Sequence, residues 1–131
     1  MSRIAPLLAA LVALAVLPTV ARAVVTEDNF KAQTAGDLAA LCAADSADPM
    51  AAAAVHFCEG YGQGAYAVID QYQKAHKAAV FCLPSPPPTR TQALLAYVDW
   101  VKAVPGRAAL PAADSVYDFL RTQYPCAAKK P

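Results

Sequence analysis

The sequence has no excess of charge of either sign. It carries 11 basic and 10 acidic residues, for a formal net charge of +1, and the basic residues form no run. Proteins that bind nucleic acid need a basic patch that neutralises phosphates. The charge pattern therefore argues against nucleic acid as a partner.

Motifs for catalysis and metal binding are also lacking. The two histidines, His56 and His76, form no His-x-x-x-His pair, and no Cys-x-x-Cys pair occurs, although zinc sites need such closely spaced ligands. His56 lies two residues from Cys58, a spacing that places two side chains on different faces of a helix. No P-loop and no nucleophile elbow is present, and the carboxylates are scattered. We predict a protein that is not an enzyme and that takes no metal and no cofactor.

The one long apolar run lies at the N-terminus. Arg3 precedes the apolar residues 4–20, and residues 21–23 follow with the small-x-small pattern that signal peptidase recognises. The run is shorter than the ~20 residues of a membrane-spanning helix. We therefore predict a cleaved signal peptide at 1–23 and an exported domain at 24–131 that does not insert into the membrane.

Cysteines are few, but their number and position are informative. All four lie after the predicted cleavage site, at Cys42, Cys58, Cys82 and Cys126. An even number in a short exported chain is typical of a disulfide framework. Four cysteines allow three connectivities, and their spacing alone does not choose among them.

The periodicity of the exported part predicts an all-α fold, a small bundle of about four helices crosslinked by two disulfides. The first two helices are expected at about 35–43 and 49–75. The third follows a capping box formed by Thr89 and Gln92, and the fourth lies between Pro111 and Pro125. The inward face of the third helix is expected to carry Leu94, Leu95, Val98 and Val101.

Two glycines interrupt the long second helix. Gly60 and Gly64 lie one turn apart, and each costs about 1 kcal/mol of helix propensity relative to alanine. We expect the close approach of another backbone to offset this cost.

A geometric argument favours one pairing of the cysteines. A short connection between the last two helices makes them antiparallel neighbours, so the start of the third and the end of the fourth lie at the same end. Cys82 and Cys126 flank these two ends, which favours a bond between them and leaves Cys42 for Cys58.

Five short motifs occur in a familiar order. They are Gly36-Asp37-Leu38 followed by Cys42, Phe57-Cys58-x-Gly60-Tyr61-x-x-Gly64, Phe81-Cys82-x-Pro84, Gln92, and Tyr124-Pro125-Cys126. In these motifs the chain resembles the Rap/Tai family of periplasmic immunity proteins associated with type VI secretion. The resemblance covers about residues 36–126 and implies a helical, disulfide-containing, exported protein.

The resemblance also implies a function and a partner. The protein is expected to bind and inhibit a peptidoglycan amidase effector and so protect the producing cell. A periplasmic protein of the same fold with a different envelope partner and no effector is the alternative, and a homodimer is left open as the oligomeric state.

The residues shared with the family mostly build the scaffold and do not locate the inhibitory surface. Four prolines in residues 84–88, here called the proline loop, forbid a helix and favour an extended, polyproline-like segment. A stiff loop loses little entropy when it enters a groove. Our hypothesis for the binding surface is this loop and the exposed side of the second helix, at Glu59, Gln63, Ser85, Pro86, Pro87 and Pro88. The alternative for the loop is a plain rigid connector between the second and third helices.

Overall fold

A computed structural model describes residues 24–127 of the chain. This part contains four α-helices and two short 3-10 helices, and no strand occurs in it. The all-α prediction is confirmed, whereas the predicted signal peptide lies outside the described residues. The helices are α1 (Ala35–Cys42), α2 (Ala51–His76), α3 (Arg90–Ala103) and α4 (Ala112–Gln123).

Local capping fixes where two of the helices begin. The side chain of Thr34 accepts from the Asp37 backbone N–H at 3.1 Å, and the Asp37 carboxylate accepts from the Thr34 N–H at 3.0 Å. The predicted box at the start of α3 has the same form, with Thr89 and Gln92 bonded reciprocally at 2.9 and 3.2 Å. Each box satisfies N–H groups that have no partner within the helix.

The core forms around the short helix α1, which packs against α2, α3 and α4. Leu38 and Leu41 of α1 are fully buried. The Phe119 ring forms T-shaped pairs with Tyr97 and Trp100, at centroid distances of 5.5 and 6.0 Å. These aromatic contacts join α4 to α3, and burial of their apolar area stabilises the pair.

Both favoured disulfides are confirmed. Cys42 at the end of α1 bonds to Cys58 in the third turn of α2, and both residues are buried. Cys82, which precedes the proline loop, bonds to Cys126 beyond α4. Next to this second bond, the Cys82 N–H donates to the carbonyl of Tyr124 at 2.8 Å. One bond therefore joins the first two helices, and the other joins the two ends of the α3–α4 hairpin.

The surroundings of two predicted positions differ from expectation. Apart from the adjoining backbone of α2 itself, no heavy atom of the described chain lies within 4 Å of where a Cβ on Gly60 or Gly64 would stand, so the expected close approach of another backbone is wrong. Leu95, expected to face inward, is 54% exposed. The reason is that α3 turns Tyr97 and Trp100 toward α4, which rotates Leu95 away from the core.

The proline loop is bent and is not continuously extended. Its bend lies at Ser85 and Pro86, and the peptide bond between these two residues is cis. The loop connects the segment after α2 to the cap of α3.

Candidate binding surface

Three of the six predicted surface residues line one groove. Glu59, with a 31% exposed side chain, and the exposed Gln63 lie one turn apart on α2, and Pro88 ends the proline loop opposite them. Ser85, Pro86 and Pro87 are exposed but do not line the groove. The structure thus brings the two predicted parts of the surface together at Pro88.

The groove runs between α2 and the start of α3 and has a volume of about 210 Å³. Its lining is mostly apolar. The buried part of the lining includes Leu38 and the Cys42–Cys58 disulfide, so the crosslink between α1 and α2 also shapes the groove. Ala93 and Leu94 belong to the α3 side.

A glycine keeps the groove open on the α2 side. Gly62 lies on the lining, and a Cβ placed on it would stand 3.8 Å from Cδ2 of Leu94, which is an ordinary van der Waals contact. A larger side chain at this position would project between the two helices. Gly62 was not singled out by sequence reasoning, since only the tertiary structure distinguishes it from its neighbours Gly60 and Gly64.

Opposite charges border the groove on its two sides. The Glu59 carboxylate on α2 lies 3.5 Å from the Nδ1 atom of the exposed His56. Arg90, the first residue of α3, lies on the other side and makes no ion pair within residues 24–127. A ligand of this groove therefore meets an apolar interior with one acidic and one basic border.

Tyr97, at the base of the α3 side, takes part in a buried hydrogen-bond chain. Its hydroxyl lies 2.6 Å from Ser115 Oγ, which in turn donates to the Ala112 carbonyl at 2.6 Å, so the Tyr97 hydroxyl donates to Ser115. Burial raises the pKa of Tyr97 to about 12. Burial also raises the pKa of Tyr124, another lining residue. Both phenols are therefore neutral at physiological pH.

The groove offers apolar and charged contacts for a binding partner. All four cysteines are in disulfides, so the chain has no free thiol nucleophile. No cluster of metal-ligating side chains occurs within residues 24–127. In the same part of the chain, no helix has the length and apolar character needed to cross a membrane.

Comparison with known proteins adds one match. Residues 34–126 match the family model of the Rap1a immunity proteins. The matched region begins at the Thr34 cap of α1 and ends at Cys126, so it contains α1 to α4 and both disulfides. No curated protein and no solved structure matches the chain.

Proposed function

Because this chain belongs to the Rap1a immunity protein family, we propose that it binds and inhibits a peptidoglycan amidase effector of a type VI secretion system. The producing cell and its kin are then protected from an enzyme that would open their own cell wall. The observation that carries this proposal is the family match, which spans the whole crosslinked helical domain.

The proposed place of action is the periplasm. Residues 1–23 have the sequence features of a signal peptide. The two disulfides fit the same compartment, because disulfides form and persist in oxidising environments such as the bacterial periplasm. The cell wall lies in that compartment, so an inhibitor there meets its target where the target acts.

Inhibition is proposed to occur by steric occlusion. The surface we assign to it comprises Glu59 and Gln63 of α2 and residues 85–88 of the proline loop. Within the loop, Ser85, Pro86 and Pro87 are exposed. Its four prolines restrict the backbone before binding, so insertion into an active-site cleft costs little ordering entropy.

A genetic experiment tests the proposed function. The gene is deleted in the producing strain, and lysis is measured when the mutant grows in contact with its parent. We expect lysis that is rescued by the full-length chain and not by a chain lacking residues 1–23. Survival of the deletion mutant beside a parent with active type VI secretion would contradict the proposal. An envelope defect that persists after secretion is inactivated would support the alternative function, with a different envelope partner.

A separate experiment tests the proposed surface. Pro86–Pro88 are replaced by Gly-Ser-Gly, and the exposed Pro105, at the opposite end of α3, is replaced by serine as the control. We expect the loop variant to keep its helical circular dichroism spectrum but to lose protection against lysis. Unchanged protection by a folded loop variant would remove the loop from the surface and leave the function itself intact.

A further inference from the structure

The size of the groove restricts what can occupy it. Its volume of about 210 Å³ lies below the roughly 300–1,000 Å³ of pockets that bind drug-sized ligands. An apolar cavity of about 150 Å³ holds one benzene ring. The enclosed part of the groove therefore has room for about one large side chain.

The lining identifies the chemistry of that side chain. Leu94, Tyr97 and Phe119 lie on the lining beside the Cys42–Cys58 disulfide, and the polar residues are at the border. We propose that the groove is an anchor site for a single aromatic side chain of the protein partner. The inference rests on the proposed function, because it takes the partner to be a protein effector. Buried aromatic anchors in pockets are where binding energy concentrates in protein interfaces.

The charges at the border specify the neighbours of the aromatic residue. Glu59 on α2 attracts a basic residue, and Arg90 on α3 attracts an acidic one. A partner segment that places a basic and an acidic residue on either side of an aromatic residue complements the groove in charge as well as in shape. Such charge complementarity favours the correct orientation and raises the rate of association.

Model peptides test the proposal without the effector. The probes are acetyl-Lys-Trp-Glu-amide, acetyl-Gly-Trp-Gly-amide and acetyl-Gly-Ala-Gly-amide, each titrated into the disulfide-bonded protein and followed by amide chemical shifts. We expect both tryptophan peptides to give saturable shifts at groove residues, and the alanine peptide to give none. The charged peptide should bind more tightly, and replacing Glu59 and Arg90 together by glutamine should remove this advantage.

Two matched leucine substitutions locate the binding. Gly62→Leu fills the groove and should weaken binding of the tryptophan peptides at least about tenfold. Gly64→Leu places the same side chain on the same helix in open space, and affinity should stay within about twofold. If Gly62→Leu does not fold, Ala93→Leu on the opposite side of the groove serves the same purpose.

In the peptide titrations, three results would overturn the anchor site: no saturable shifts, equal affinity in the Gly62→Leu and Gly64→Leu proteins, or shifts confined to the exposed Val68 and Tyr72. The proposed function is tested apart from this, by lysis in the deletion mutant. Protection by a folded Gly62→Leu protein that no longer binds the peptides would reject the anchor and keep the immunity role.

Discussion

Helix α2 has two halves with different surroundings. In residues 51–63, Ala54 and Cys58 are fully buried, and Cys58 is bonded to α1. In residues 64–76 no residue is fully buried, and the apolar side chains of Val68 and Tyr72 are 71% and 52% exposed. The apolar side of α2 is thus fully buried at points in the first half and at most partly buried in the second, where Ala65, Tyr66 and Ile69 pack against the core.

The lengths of the helices explain this difference. At about 1.5 Å per residue, the 26 residues of α2 span about 39 Å, whereas α1, α3 and α4 have 8, 14 and 12 residues. The partner helices are too short to cover α2 along its whole length. The second half is held instead by the segment after it, where Gln73 Oε1 accepts the Val80 and Phe81 N–H groups at 3.1 and 3.2 Å.

The largest expected effect comes from removing the disulfide that attaches the first half of α2 to α1. Replacing Cys42 and Cys58 by alanine removes a crosslink over 16 residues, and we expect a loss of about 3 to 5 kcal/mol in the free energy of unfolding. Urea unfolding measures the loss, and amide exchange locates it in α1 and residues 51–63.

The second disulfide provides the control. Replacing Cys82 and Cys126 by alanine frees a 44-residue span and should cost a comparable amount. Its added exchange should instead concentrate at the ends of the α3–α4 hairpin. The same pattern of exchange in both double variants would contradict the specific attachment of the first half of α2 to α1 by the Cys42–Cys58 bond.

Raising the pH is expected to lower the free energy of unfolding through the buried Tyr97 of α3. Because the pKa of Tyr97 is raised to about 12, the folded protein keeps a proton that the unfolded chain releases near pH 10. Stability should therefore fall by about 2 kcal/mol as the pH rises from 10 to 12. In a Tyr97→Phe protein, this loss of stability between pH 10 and 12 should be absent. Replacing the exposed Tyr117 by phenylalanine should leave the loss unchanged. Equal slopes in all three proteins would contradict the burial of the phenol.

A smaller loss of stability is expected from removing the contact between Gln73, in the second half of α2, and the segment that follows the helix. Gln73→Ala leaves the N–H of the buried Phe81 without its partner, and the expected cost is about 1–2 kcal/mol. Gln71→Ala, an exposed glutamine on the same helix, is the control and should change stability by less than about 0.5 kcal/mol. Amide exchange at Phe81 distinguishes local release from global unfolding, and an unaltered Phe81 amide would contradict the attachment.

The smallest expected effects stabilise the protein. Gly60→Ala and Gly64→Ala should each raise the free energy of unfolding by up to about 1 kcal/mol, because a Cβ at either site meets nothing. Gly106→Ala should lower it, because Gly106 has a φ of 93°, which alanine adopts only with strain. Destabilisation by either helix substitution would show that the solvent-facing side of α2 has a contact in the folded protein.

Features that depend on neighbouring residues were predictable from the sequence. The start of α3 was recognised because Thr89 and Gln92 are three residues apart and satisfy each other's backbone groups. The pairing of Cys82 with Cys126 followed from one further step, the short connection that makes α3 and α4 antiparallel.

Features that depend on distant residues were not predictable in the same way. Leu95 fits the apolar repeat of α3, but the buried face of the helix is decided by where Phe119 packs. The groove joins Gly62 to Pro88, which are 26 positions apart in the chain, and no local pattern indicates that they meet. The candidate surface was therefore named in part, through Glu59, Gln63 and Pro88, while its apolar interior was missed.

We propose above all that this chain inhibits a cell-wall amidase. The most direct measurement uses a hydrolase recovered with the chain from cells with active type VI secretion, and follows the release of new amino groups from purified peptidoglycan as the chain is added. We predict that the rate falls in proportion to the added chain and is abolished at a fixed stoichiometry. If the hydrolase keeps its full rate when the folded, disulfide-bonded chain is present in molar excess, the claim is contradicted.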